Sequence, residues 1–266
     1  MATTFTVTIA YPDAIYARQA ADVAFQELDR LERILSRHLG DSDIARINRL
    51  AAGQTLLVQP ETLDCLQVAL DAQRMTDGVF DISYGSTGQP SLPPPFELDA
   101  KAYTVRVRRE GLRLDPGGIG KGFALDRMAA LLADWEIESA LLCASTSTFL
   151  ALAPPPGEPG WSVTFGPDPH PRRVMLVRRA FSASGRSIRS DHIMDPRTRR
   201  PATGWERCWS AASSGALADA LSTAFVAMGE EEIRACCSRH AEVSTWALRP
   251  GVTRVITFAD RIPPAC

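Results

Sequence analysis

From residue 3 to residue 10 the chain alternates polar positions with Phe5, Val7 and Ile9, a period of two that predicts a half-buried strand. After Pro12-Asp13 the apolar positions are Ala21, Ala24, Phe25, Leu28, Leu31 and Leu35, the spacing of a long amphipathic helix. The loop Gly40-Asp41-Ser42 leads to a short segment ending at Asn48. Pro60 then opens a helix with Leu63, Leu66, Ala69 and Leu70 on one stripe. Gly, Ser and Pro dominate residues 85–95, which predicts loop. Tyr103, Val105 and Val107 alternate again, and Glu110-Gly111 reads as a turn into a second short strand. A glycine turn at Gly117-Gly118 feeds a helix over 121–133. Further strands are expected at 140–144, 148–152, 161–165, 174–177, 208–212, 243–248 and 254–258. A helix over 215–228 carries Ala218, Leu221, Phe225 and Met228 on one face, and Cys236 and Cys237 also sit in a helical pattern. Strand pairs joined by short turns, with helices between the groups, point to an α+β fold and not to a doubly wound parallel sheet.

Composition narrows the class without naming a function. The 266 residues suit a single unit spanning 1–266, and 45% hydrophobic content supports a sizeable core. A formal charge of -2 leaves no electrostatic footprint for nucleic acid, and the short basic runs at 106–109 and 197–200 lie beside turn residues. No stretch approaches the roughly 20 apolar residues that span a bilayer. The N-terminus has neither an apolar signal core nor a positive lead-in, so the expected compartment is cytoplasmic as the sequence stands. Removal of a leader would leave the same sequence and make the compartment periplasmic. Six cysteines show no CxxC pair and no regular spacing, which favours ordinary thiols over a zinc site or a disulfide framework.

Four segments could carry chemistry. In Leu114-Asp115-Pro116-Gly117-Gly118-Ile119-Gly120-Lys121-Gly122 a strand end runs into a helix. Backbone N–H groups freed of side chains there can hold an anion, with Lys121 adding charge. An ordinary tight turn would read the same way. In Ala218-Asp219-Ala220-Leu221-Ser222-Thr223 the oxygens of Asp219 and Thr223 project from one helix face at i and i+4. A carboxylate and hydroxyls suit a hard cation such as Mg²⁺, while an acidic residue meeting the helix dipole is the plainer alternative. His192, in Asp191-His192-Ile193-Met194-Asp195-Pro196-Arg197-Thr198, is a general-base candidate or a structural hydrogen-bonder. Gly78-Val79-Phe80-Asp81 ends a helix and sends Phe80 inward.

The order of these segments resembles the ApbE family. That family shows a start like MGTTF, a Ser-x-Ile-x-x-x-Asn segment, GxFD, LDLGGIAKG, SG, HIIDPRTG and ADALSTALFVMG. Here they stand as Met1-Ala2-Thr3-Thr4-Phe5, residues 42–48, 78–81, 114–122, Ser184-Gly185, 192–198 and 218–229. The resemblance implies an ApbE-like, T-fold-like arrangement of mixed sheets with helices packed between and around them. It also implies binding of FAD with Mg²⁺, and transfer of FMN to a threonine or serine hydroxyl of a partner protein with release of AMP.

By the same resemblance the metal would be held by the backbone oxygen of Gly118 with Asp219, Ser222 and Thr223. FAD would touch Met1, His38, Val79, Phe80, Asp81, Asp115, Lys121 and Met194. His38 stands where the family often places an aromatic ring. His192 is the candidate base, with Asp195 as its orienting partner. Hydrolysis of FAD to FMN and AMP, or binding without turnover, are the alternatives. The chain departs from the pattern at Ala2, at Ser145-Thr146-Ser147 (a Gly-Gly-[Asp/Asn] turn in the family), at Arg186 after Ser184-Gly185, and at Arg199, where DPRTG ends in glycine.

Overall fold

The computed structural model describes residues 3–87, 93–185 and 193–262. In chain order these form β1 (Phe5–Ile9), α1 (Ala14–Leu35), α2 (Asp43–Ile47), β2 (Thr55–Leu57), α3 (Pro60–Met75), β3 (Phe96–Asp99) and β4 (Thr104–Val107). A 3-10 turn at Pro116–Gly118 precedes α4 (Gly120–Asp134), then β5 (Ala140–Ala144), β6 (Thr148–Ala151), β7 (Trp161–Phe165), β8 (Arg172–Leu176) and β9 (Arg179–Gly185). The chain continues through β10 (Met194–Asp195), β11 (Arg200–Pro201), β12 (Arg207–Ala212), α5 (Gly215–Ala227), α6 (Glu230–Arg239), β13 (Ser244–Leu248) and β14 (Ile256–Ala259). The α+β expectation holds. No described helix is long and apolar enough to cross a membrane.

Seven strands make the central sheet in the order β1-β5-β6-β9-β12-β13-β14, and every neighbouring pair is antiparallel. Its two faces differ because strand residues alternate sides. Phe181, Trp209 and Trp246 point to one face, where the β7–β8 hairpin covers them with Val163, Phe165, Val174 and Leu176. The Phe165 ring lies 5.1–5.3 Å from the rings of Phe181, Trp209 and Trp246, each at a tilt, the arrangement aromatic quadrupoles favour. The other face presents small residues (Ala180, Ser182, Ser210, Ala212), so helices lie close against it. There α4 and α5 pack on the sheet and α1 packs on α4. A second sheet, β2-β4-β3, joins the apolar faces of α1 and α3 in the largest core cluster.

Five strands escaped the pattern, among them the two-residue β10 and β11. β9 sits in the middle of the large sheet, buried on both faces, so it lacks the polar alternation that marks a half-buried strand. β2 and β3 are too short for periodicity to register. The strand expected after Gly111 is absent. Residues 112–114 run beside Asn48, whose side chain accepts from the Leu114 N–H (2.6 Å) and donates to the Leu114 carbonyl (3.0 Å). One amide thus replaces a strand partner. β4 instead pairs with β2 and β3, both earlier in the chain.

The candidate active site

Two glycines set the site. A Cβ on Gly122 of α4 would fall inside the van der Waals radius of the Gly215 carbonyl oxygen on α5, and a Cβ on Gly215 would strike Gly122 in return. Only glycine at both positions lets the helices touch backbone to backbone. Asp126, one turn further along α4, accepts from the N–H groups of Gly215 (2.6 Å) and Ala216 (2.8 Å), tying the start of α5 to α4. Burial pushes the Asp126 carboxyl up to about 6; its two backbone hydrogen bonds oppose that shift, and the nearby charge of Asp219 adds to it.

This close crossing brings Lys121 to Asp219. Asp219 is fully buried, and the Lys121 Nζ stands 2.9 Å from its Oδ1 and 3.2 Å from its Oδ2. Two further donors fix the carboxylate: the Ser182 hydroxyl donates to Oδ1 (3.2 Å) and the Gly122 N–H to Oδ2 (3.2 Å). Ser222 and Thr223 each donate to the Asp219 carbonyl oxygen at 3.0 Å, and the Ser184 hydroxyl lies 2.9 Å from Ser222 Oγ and 3.1 Å from Thr223 Oγ1. A hydroxyl-rich patch therefore surrounds one carboxylate and one ammonium.

The glycine turn meets this patch. A Cβ on Gly118 would lie 3.2 Å from Thr223 Cγ2, 3.4 Å from Thr223 Oγ1 and 3.3 Å from Phe80 Cε2. The residues expected to share a metal (Gly118, Asp219, Ser222 and Thr223) are thus neighbours. Val79 and Phe80 are buried beside them; the Phe80 N–H donates to Thr76 Oγ1 (2.9 Å). Asp81 accepts from the N–H and hydroxyl of Ser83, closing a turn. Asp115 accepts from the Gly117 N–H (2.9 Å) and the Tyr84 hydroxyl (3.2 Å) and pairs with Arg37 (3.0 Å). Burial and Asp115 hold the Tyr84 hydroxyl above its ordinary pKa. The same Arg37 donates from Nε to His38 Nε2 (3.2 Å), so His38, exposed, stands next to the Asp115 cluster. Sequence reasoning missed Arg37, Tyr84, Asn48 and Ser182, because each acts through a partner distant along the chain.

Met194 lies in the β10–β11 hairpin, paired with Pro201. Asp195 accepts from the Arg197 backbone N–H (2.9 Å), Nε (3.0 Å) and Nη2 (3.0 Å), which shapes the hairpin turn; His192, its expected partner, lies outside the described residues. Burial alone would raise the Asp195 carboxyl, but Arg197 holds it below its ordinary value. Arg197 also bonds Glu232 and the Ala227 carbonyl, anchoring the hairpin to the end of α5 and the start of α6. His192 and Met1 lie outside the described residues, as do Ala2, Arg186 and Cys266. The other five cysteines are free thiols, in line with the absence of any paired spacing.

Two of the departures hold a backbone conformation that favours glycine. Ser145 has φ +56° and Arg199 φ +57°, left-handed values that glycine adopts freely. The Ser145 N–H donates to the Thr4 carbonyl (2.7 Å) and the Ala183 N–H to the Ser147 carbonyl (2.7 Å). The chain's start, this turn and the Ser184-Gly185 segment thus meet at one end of the sheet. Arg199 reaches the Ser86 carbonyl (2.8 Å), so a side chain bridges where glycine would leave space.

The chemistry of the residues fits a hard divalent cation: a carboxylate, hydroxyls and the Gly118 turn lie together, and a lysine ammonium faces the carboxylate. Among the described residues no group of three His, Cys, Asp or Glu forms a metal cluster, so a cation here would draw on a single carboxylate. Comparison with known proteins bears on the family. A chain from Treponema pallidum (strain Nichols) named FAD:protein FMN transferase is 26% identical over 294 residues, covering 91% of this chain and 78% of that one. The flavin transferase ApbE of Vibrio cholerae superposes with a TM-score of 0.82 at 19% identity, covering 98% of this chain and 94% of that one. The ApbE protein of Thermotoga maritima gives 0.81 at 23% identity, covering 96% and 93%. The model of the ApbE family matches residues 1–246, and this chain belongs to the ApbE family.

Proposed function

We propose that this chain is a magnesium-dependent FAD:protein FMN transferase. The observation that carries this proposal is the convergence of Gly118, Lys121, Asp219 and Thr223 from two elements about 100 residues apart in sequence. Asp219, Thr223, Ser222 and the Gly118 carbonyl would hold Mg²⁺. When bound, Mg²⁺ supplies charge neutralisation to the diphosphate of FAD. Lys121 reaches the same phosphates with its ammonium, and the Gly117-Gly118 turn lets the diphosphate approach backbone. Val79, Phe80, Asp81 and Asp115 line the nucleotide side, with His38 offering an imidazole face and Met1 and Met194 further contacts.

The reaction is substitution at the FMN-side phosphorus. An acceptor threonine or serine oxygen forms the new P–O bond, the bond to the bridging oxygen breaks, and AMP leaves with that oxygen. His192 takes the hydroxyl proton; a general base typically contributes about 10²–10⁴-fold. AMP release from FAD and Mg²⁺, followed with and without a flavinylatable acceptor domain, tests the proposal. Release that needs the acceptor, together with an FMN mass increment on it, supports transfer. Acceptor-independent release makes the chain a hydrolase, and no release in either arm refutes both.

A further inference from the structure

We propose that Ser182, with Thr148 behind it, is a positioning residue that sets the orientation of the Asp219 carboxylate toward its cation. The inference rests on the cation site proposed above and assigns two residues to it that carry none of the metal contacts. Asp219 has two carboxylate oxygens and, among the described residues, three donors to them. Gly122 N–H fixes Oδ2 and Ser182 Oγ fixes Oδ1, each at 3.2 Å, while Lys121 straddles both. Lys121 is a flexible side chain, a quarter exposed, that can leave. Once it turns to a phosphate, the backbone N–H and the serine hydroxyl are what hold the carboxylate.

Serine has one proton to give. With that proton on Asp219, Ser182 Oγ can only accept from its hydroxyl neighbours, and Ser222 Oγ reaches it at 3.4 Å. Thr148 lies directly opposite on β6, its Oγ1 3.0 Å from Ser182 Oγ, and Ser182 is its one side-chain partner among the described residues. Thr148 then donates to Ser182, and Ser182 donates to Asp219. Both hydroxyls are fully buried, so water does not compete for the rotor.

The sheet contains its own control. Ser210 on β12 is the cross-strand partner of Ser182 on the other side and is equally buried, yet its Oγ has no hydrogen-bond partner. A small side chain in this row is enough to let α5 approach; a hydroxyl is not required for packing. Ser182 differs from Ser210 in its bonds to Asp219, Thr148 and Ser222.

Donors that orient a metal's carboxylate typically change metal affinity by about 10–100-fold when removed. Mn²⁺ binding to the full chain in the presence of FAD, read from the electron paramagnetic resonance of free Mn²⁺, gives that affinity without turnover. Ser182→Ala and Thr148→Val should each weaken Mn²⁺ binding about tenfold, whereas Thr148→Ser and Ser210→Ala should bind as the unaltered chain does. Thr148→Val keeps the shape and loses the hydroxyl; Thr148→Ser does the reverse. Should Ser182→Ala fail to fold, the Thr148 pair decides alone. Unchanged affinity in Ser182→Ala and Thr148→Val overturns the assignment, as does loss in Thr148→Ser but not in Thr148→Val, which would mean packing. If the unaltered chain binds no Mn²⁺, the cation site itself is wrong and this inference falls with it. If it binds and the variants do not differ, the inference alone falls.

Discussion

Lys121 Nζ lies 2.9 Å from Oδ1 and 3.2 Å from Oδ2 of Asp219, one ammonium astride both oxygens of a fully buried carboxylate. The Asp219 carboxylate is therefore neutralised by Lys121. Under the proposed function a divalent ion would have to replace that ammonium, and the diphosphate of FAD would give Lys121 an alternative partner, coupling nucleotide binding to metal binding.

Replacement of Lys121 by Met leaves Asp219 buried without its counter-charge. The expected loss of stability without metal is about 3 kcal/mol, the lower end for breaking a buried pair because Lys121 is partly exposed. Added Mn²⁺ should recover more stability in Lys121→Met than in the unaltered chain. Thermal melts with and without Mn²⁺ measure this. Equal metal-induced shifts would mean that ammonium and metal do not compete for Asp219.

Gly122→Ala forces a methyl group against the Gly215 backbone, which cannot turn aside as a side chain does. The two helices must separate, at a cost of about 3 kcal/mol or more. FAD affinity should fall as well, because Lys121 and Asp219 sit on the separated helices. Denaturant melts and a flavin fluorescence titration check the two effects. A stable variant with normal affinity would show that the crossing does not set the site.

Ser145 holds a left-handed backbone that costs a non-glycine residue about 1–2 kcal/mol. Ser145→Gly should therefore stabilise the chain by about 1 kcal/mol, less the added freedom of glycine in the unfolded state. A rise in Tm of about 2–3 °C is expected for a chain of this length. Arg199→Gly relieves the same conformation but surrenders the bond to the Ser86 carbonyl, so its net effect should be smaller.

Asp126 predicts a pH dependence with a definite sign. Its carboxyl is raised in the folded state to about 6, above its unfolded value near 4, so the fold holds a proton that the unfolded chain releases. Its contribution is full below about pH 4 and is lost as pH rises toward about 6. The stability of the unaltered chain relative to Asp126→Asn should fall across that window and stay level above it. Urea melts at a series of pH values would show this, and a difference independent of pH would contradict it.

Much of the site was legible because it is written in local spacing. Asp219 and Thr223 fall at i and i+4, and the glycine turn before Lys121 announces backbone exposure whatever surrounds it. The partners were not legible. Asn48 holds the backbone of Leu114, 66 residues away, and Ser182 reaches Asp219 from a strand 37 residues earlier in the chain. β9 was invisible as a strand for a related reason: its alternation is aromatic against hydroxyl, and both sides are buried. Ser145 and Arg199 looked like losses of family glycines, yet their backbone torsions are ones that favour glycine, which no residue identity discloses.

Crystals of the chain grown with FAD and Mn²⁺, with the metal located by its anomalous scattering, test the central claim most directly. The expected result is an Mn²⁺ peak against Asp219 and the Gly118 turn, with the Lys121 ammonium withdrawn from Asp219 to the diphosphate. An Mn²⁺ peak elsewhere, or FAD bound with the Lys121–Asp219 pair intact, would contradict it.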